Sequence, residues 1–131
     1  MLRDLNEAET VKKVILPPNI KKAGIINIWD EETAYLKNNE LNDLKYGIFS
    51  KEKWDKYESL RIYMLDDLDT NYIWKGADEE YVIKLLGEPF YIKEKNPRYI
   101  EYYVSSGNLD PIRFYIMFED GEVVETGKRH T

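Results

Sequence analysis

Between Ser50 and Tyr72 the sequence alternates charged residues with a stripe at helical period: Trp54, Tyr57, Leu60, Arg61, Met64, Leu65, Leu68 and Tyr72. Spacings of three and four put these positions on one side of a helix, so an amphipathic helix of about five turns is expected over 51–72, with Ser50 as N-cap. A shorter helix follows. Gly76 breaks the chain, Asp78 caps, and Glu79 with Glu80 sets negative charge beside the unpaired first-turn amides, while Val82, Ile83, Leu85 and Leu86 supply the buried side. Gly87 suits the left-handed residue that closes a helix, and Pro89 prevents a restart.

From Phe90 the period falls from about 3.6 to 2. Arg98–Val104 and Ile112–Phe118 alternate Tyr, Ile, Val and Phe with polar residues, and Ser105-Ser106-Gly107-Asn108 reads as the turn between them. Asp120-Gly121 is a strong hairpin signal because both turn positions need positive φ, so Val123–Thr126 is expected to return antiparallel. Phe90-Tyr91-Ile92 is a candidate edge strand. Upstream, Leu2, Leu5, Ala8, Val11, Val14 and Ile15 suggest a helix stopped by Pro17 and Pro18, and Asn19 caps a second pattern through Ile25, Ile26, Trp29 and Leu36. The expected fold is α+β: N-terminal helices on one face of a C-terminal antiparallel meander of three to four strands. A single domain spans 1–131, with 1–48 a helical extension, 49–126 the helix–helix–meander unit, and 127–131 a tail.

Alternation assigns the sheet faces. Ile100, Tyr102, Val104, Ile112, Phe114, Ile116 and Phe118 are expected to look toward the helices. Tyr99, Glu101, Tyr103, Arg113, Tyr115 and Met117 then look outward, an unusually aromatic set for an outer face. Eleven tyrosines in 131 residues exceed what a core accommodates, since each buried hydroxyl needs a partner. Tyrosine is enriched among interface anchors because it gives large contact area while ordering few torsions. These six residues are therefore the candidate partner-binding surface, against the alternative that the first fifty residues cover them as a second core.

Net charge is −6, from 25 acidic and 19 basic side chains, and it is spread along the chain: 14 acids and 11 bases up to residue 72, 11 and 8 beyond it. Such a balance disfavours nucleic acid and anionic membranes, which need a basic face, and suits a basic protein partner. No apolar run approaches transmembrane length and the first residues lack a secretory apolar stretch, so a cytoplasmic location is expected, or a periplasmic one if a native signal has been removed. With no cysteine there is no thiol nucleophile and no thiolate metal site. His130, the one histidine, lies at the chain end, and no HExxH, Walker A or GxGxxG pattern occurs. Asp66, Asp67 and Asp69 are neighbours whose side chains diverge on a helix, so they read as a solvated polar face. No catalytic residue, metal or cofactor is expected; an acid–base enzyme using Asp66, Asp67 or Glu101 is the minor alternative.

The run Gly76-Ala77-Asp78-Glu79-Glu80 through Leu85-Leu86-Gly87-Glu88-Pro89, then Tyr102-Tyr103-Val104, then Phe118-Glu119-Asp120-Gly121-Glu122-Val123, resembles the helix-then-meander unit of the β-lactamase-inhibitor-protein-like (BLIP/SmpA-like) superfamily. The resemblance covers about residues 49–126, including Phe49, Trp54, Arg61, Met64, Asp67 and Leu68. It implies a non-enzymatic scaffold of the kind found in inhibitors and envelope-assembly lipoproteins. The acidic, cysteine-free character also resembles bacterial immunity proteins. The function expected is thus an immunity or inhibitor protein that neutralises a basic effector or toxin, with an envelope-associated assembly domain as the alternative.

Overall fold

The computed structural model describes residues 2–9, 47–104 and 112–130. The expected helix beginning at Asn19, the end of the first helix pattern beyond residue 9, and the turn at Ser105–Asn108 lie outside the described residues. The element order is β1 (Arg3–Asp4), a 3-10 turn (Leu5–Glu9), α1 (Lys51–Lys56), a 3-10 turn (Glu58–Leu60), α2 (Arg61–Thr70), β2 (Tyr72–Ile73), α3 (Glu79–Leu86), β3 (Tyr91–Lys93), β4 (Arg98–Val104), β5 (Ile112–Glu119) and β6 (Glu122–His130). It is an α+β fold. β3-β4-β5-β6 form an antiparallel meander, and β1 pairs with β2 in a separate parallel ribbon.

The long helix expected over 51–72 is broken. Tyr57 leaves helical geometry (φ −127°, ψ 87°), and the chain passes through the 3-10 turn before α2 begins. A side chain compensates for the break: Arg61 Nε donates to the Trp54 carbonyl at 3.0 Å, an acceptor left open where α1 ends, and its guanidinium lies 4.5 Å over the Trp54 ring. The stripe survives the break. Trp54, Leu60, Met64, Leu65, Leu68 and Tyr72 are all buried, because the turn keeps both helices against the same sheet face. Caps behave as expected, with Ser50 Oγ accepting from Lys53 N–H and Asp78 Oδ1 from Glu80 N–H.

The inner face of the meander presents Ile100, Tyr102, Val104, Phe114, Ile116, Phe118 and Val123 to the helices, all buried. Trp74 joins them, donating Nε1–H to the Leu68 carbonyl and meeting Phe114 edge-on at 5.6 Å between centroids. Asp120 (φ 52°) and Gly121 (φ 80°) make the tight turn between β5 and β6, and Glu79 N–H donates to the Gly121 carbonyl, so the hairpin tip is stitched to the start of α3. Two differences from expectation concern chain ends. Residues 2–9 form β1 and a short 3-10 turn, because Arg3 N–H is drawn into a hydrogen bond with the Asn71 carbonyl beside β2. Residues 127–130, expected as tail, continue β6: its register steps past an extra residue at Val124, and pairing resumes through Ile112↔His130.

Asp67 is the main correction among the acidic residues. It is buried, accepting from Phe49 N–H at 2.9 Å and Asn71 Nδ2 at 2.9 Å and pairing with Arg3. Its neighbours go elsewhere: Asp66 pairs with Lys128 at the surface and Asp69 accepts from the Thr126 hydroxyl at 2.8 Å. Asp66 and Asp69 therefore tie α2 to β6 and Asp67 ties it to Arg3 and Phe49, and the three carboxylates do not converge.

Candidate interaction surface

Strand register lays the outer face out in three cross-strand rows. Tyr91, Glu101, Tyr115 and Gly127 form the middle row; Lys93, Tyr99, Met117 and Glu125 flank it on one side, and Tyr103, Arg113 and Arg129 on the other. All six residues expected on this face are thus brought together on it. The structure adds Phe90, Tyr91, Lys93, Gly127 and Arg129. Phe90 and Tyr91 were legible only as an edge strand, while Arg129 fell in the expected tail.

The face is a pavement of rings with guanidinium groups laid between them. Phe90 packs on Tyr103 (5.9 Å between centroids) and Tyr91 on Tyr99 (6.0 Å). Arg113 sits 5.2 Å from the Phe90 centroid, and Arg129 reaches across β5 to donate to the Tyr99 hydroxyl at 3.2 Å. That hydrogen bond raises the Arg129 pKa. Tyr115 does not stand off the sheet. A Cβ on Gly127 would lie 2.7 Å from the Tyr115 hydroxyl oxygen, so the missing side chain lets the ring lie across β6, where its hydroxyl donates to Glu125 at 3.0 Å. Loss of solvent and this hydrogen bond raise the Tyr115 pKa.

Glu101 differs from the rest of its set. It is 1% exposed, so it is not a contact residue. Its carboxylate lies 3.7 Å from both Arg113 and Arg129, and it acts from beneath as the buried counter-charge that holds the two guanidinium groups over the face. Tyr99, Tyr103, Arg113, Tyr115 and Met117 are half-buried, whereas Phe90, Tyr91 and Ile92 are exposed at 61%, 44% and 41%. The exposed apolar area is therefore concentrated at the β3 edge. Within the rows Lys93, Arg113 and Arg129 outnumber Glu101 and Glu125, so the net negative charge of the chain does not come from this face.

At that rim a cleft of about 400 Å³ opens beside the face, lined by Glu58, Arg61, Glu88, Phe90, Tyr102 and Tyr103. Pro89 has no N–H to continue the β3 ladder, and Arg61 Nη1 reaches the Tyr103 carbonyl at 3.4 Å where a longer β3 would have paired. Burial lowers the Arg61 pKa, opposed by the nearby Glu58 and Asp55 carboxylates. Tyr102 forms the floor, its hydroxyl donating to the Gly87 carbonyl at 2.8 Å, and burial drives its pKa upward. Among the described residues no group of three or more His, Asp or Glu is placed to hold a metal ion, and no helix is long and apolar enough to cross a membrane. Compared with known proteins, the chain matches no family model, no curated protein and no solved structure.

Proposed function

We propose that this protein is a non-enzymatic protein-binding module of the immunity or inhibitor type, which masks a basic effector or toxin with the outer face of its meander. The observation that carries the reading is the outer face of two ring pairs, Phe90 on Tyr103 and Tyr91 on Tyr99, with Tyr115 laid across β6, exposed at Phe90 and Tyr91 and braced from below by Glu101. Pre-ordered aromatic rings lose little conformational freedom on association, and rings beside arginines are typical of the residues that dominate interface energy. The arrangement offers shape and area. It gathers no nucleophile, base and orienting group around one reacting atom. The net charge of −6 suits a basic partner by raising the rate of encounter. The order of helix then aromatic meander, which resembles the β-lactamase-inhibitor-protein-like unit, agrees with such a role.

The experiment is affinity capture from the source cell with the wild-type protein, followed by titration of the captured protein against Tyr103→Ala and Tyr115→Ala. Each variant is expected to keep its fold and to weaken binding by about 1–4 kcal/mol, with association slowing as salt is added. A partner that binds both variants as tightly as wild type would refute the assignment of this face.

A further inference from the structure

The rim cleft is continuous with the outer face, since Phe90 and Tyr103 belong to both, and its chemistry differs from the face itself. Two of its walls are carboxylates, Glu58 and Glu88, both exposed, and among the described residues neither takes part in an ion pair. Among the described lining residues the one cation, Arg61, is already committed to the Trp54 and Tyr103 carbonyls and to the Trp54 ring. The cleft therefore carries one uncompensated negative charge above an aromatic floor and wall. Its volume is at the small end for ligand sites and leaves room for one long side chain. Beside it runs a strand edge: β3 pairs only with β4 among the described residues, and because the Glu101 carbonyl faces β3, where it accepts from Phe90 N–H, its register partner Tyr91 turns its backbone inward and the Ile92 N–H and C=O lie on the outer side.

Resting on the protein-binding reading, we infer that this cleft receives a lysine or arginine side chain from an extended segment of the partner, laid along the open edge of β3. The aliphatic stem of the incoming residue packs on Phe90 and Tyr103, and its charge lies between Glu58 and Glu88. An aromatic wall favours such a cation over a neutral side chain, as the Arg113 guanidinium stacked on Phe90 already illustrates. The free strand edge favours a polypeptide over a free amine, because it offers main-chain hydrogen bonds only a peptide can complete.

The test needs no identified partner. The ¹⁵N-labelled protein is titrated by NMR with the capped pentapeptide acetyl-Thr-Val-Arg-Val-Thr-amide, with the same peptide carrying citrulline for arginine, and with spermidine. The arginine peptide is expected to give saturable shifts at Glu88, Tyr91, Ile92 and Tyr103, and to bind at least tenfold more tightly than the citrulline peptide. The Glu58→Gln, Glu88→Gln double variant, altered only at exposed positions, is expected to lose that preference. Equal response to the two peptides, no localised shift, or tighter binding of spermidine than of the arginine peptide would each overturn the inference. These outcomes are separable from the outer face: if the cleft ignores cations while Tyr115→Ala, at a residue that does not line the cleft, still weakens binding of the captured protein, only this inference falls.

Discussion

Replacing Asp67 and replacing Asp66 should have very different consequences, although the two residues are adjacent and chemically identical. Asp67 is 4% exposed and gathers Arg3, Phe49 N–H and Asn71 Nδ2. In Asp67→Ala, Arg3 and Asn71 are open enough to rehydrate and contribute little to the cost. Phe49 is fully buried, so its N–H loses a charge-assisted bond with no water to replace it, a cost of about 1.5–3 kcal/mol. The space left by the carboxylate among packed neighbours brings the total to about 3 kcal/mol. Asp66, with its side chain 82% exposed beside Lys128, should change stability by no more than about 0.5 kcal/mol when replaced by Ala. In thermal unfolding followed by circular dichroism, Asp67→Ala is expected to melt about 10 °C below wild type and Asp66→Ala within about 2 °C. Equal midpoints for the two variants would refute the reasoning, since it would mean that Asp67 is as solvated as its neighbour.

Two tyrosines buried in the core should respond in opposite senses to loss of the hydroxyl. Tyr72 Oη is buried with no hydrogen-bond partner, so Tyr72→Phe is expected to match or exceed wild-type stability at pH 7, while Tyr102→Phe, losing the bond to Gly87, should cost about 1 kcal/mol in urea unfolding. Burial pushes the Tyr72 pKa from 10.0 up to about 12. The unfolded chain therefore releases this proton first, and stability should fall as pH rises from 10 toward 12 by about 2–3 kcal/mol, a decline that Tyr72→Phe reduces. Gly127→Ala places a methyl group against the Tyr115 ring, so it should lift the ring, break the bond to Glu125, and return the Tyr115 pKa toward its ordinary value in a spectrophotometric titration.

Local chemistry accounts for what the sequence discloses about the fold. The caps at Ser50 and Asp78, the turn at Asp120-Gly121 and the alternation along β4 and β5 each depend on residues a few positions apart, and each is found where the pattern places it. The break at Tyr57 is hidden because the apolar stripe continues through it, and the compensating contact from Arg61 to Trp54 is a tertiary one. β6 reads as tail beyond Thr126 because Gly127-Lys128-Arg129 is polar; pairing with β5 and the Lys128–Asp66 contact to α2 hold it. The burial of Asp67 depends on Arg3, 64 residues away, and that of Glu101 on Arg113 and Arg129 from two other strands. Facing of the outer residues follows from alternation, whereas the concentration of exposure at Phe90, Tyr91 and Ile92 follows from β3 pairing only with β4 among the described residues.

Hydroxyl-radical footprinting of the free protein, read by mass spectrometry residue by residue, tests most directly whether the outer pavement is open to a partner. Tyr91 and Phe90 should be oxidised fastest, Tyr99, Tyr103, Tyr115 and Met117 at intermediate rates, and the core residues Tyr72 and Tyr102 slowest. If Tyr99, Tyr103 and Tyr115 proved as protected as Tyr102, the pavement would be a second core and the binding role assigned to it would be contradicted.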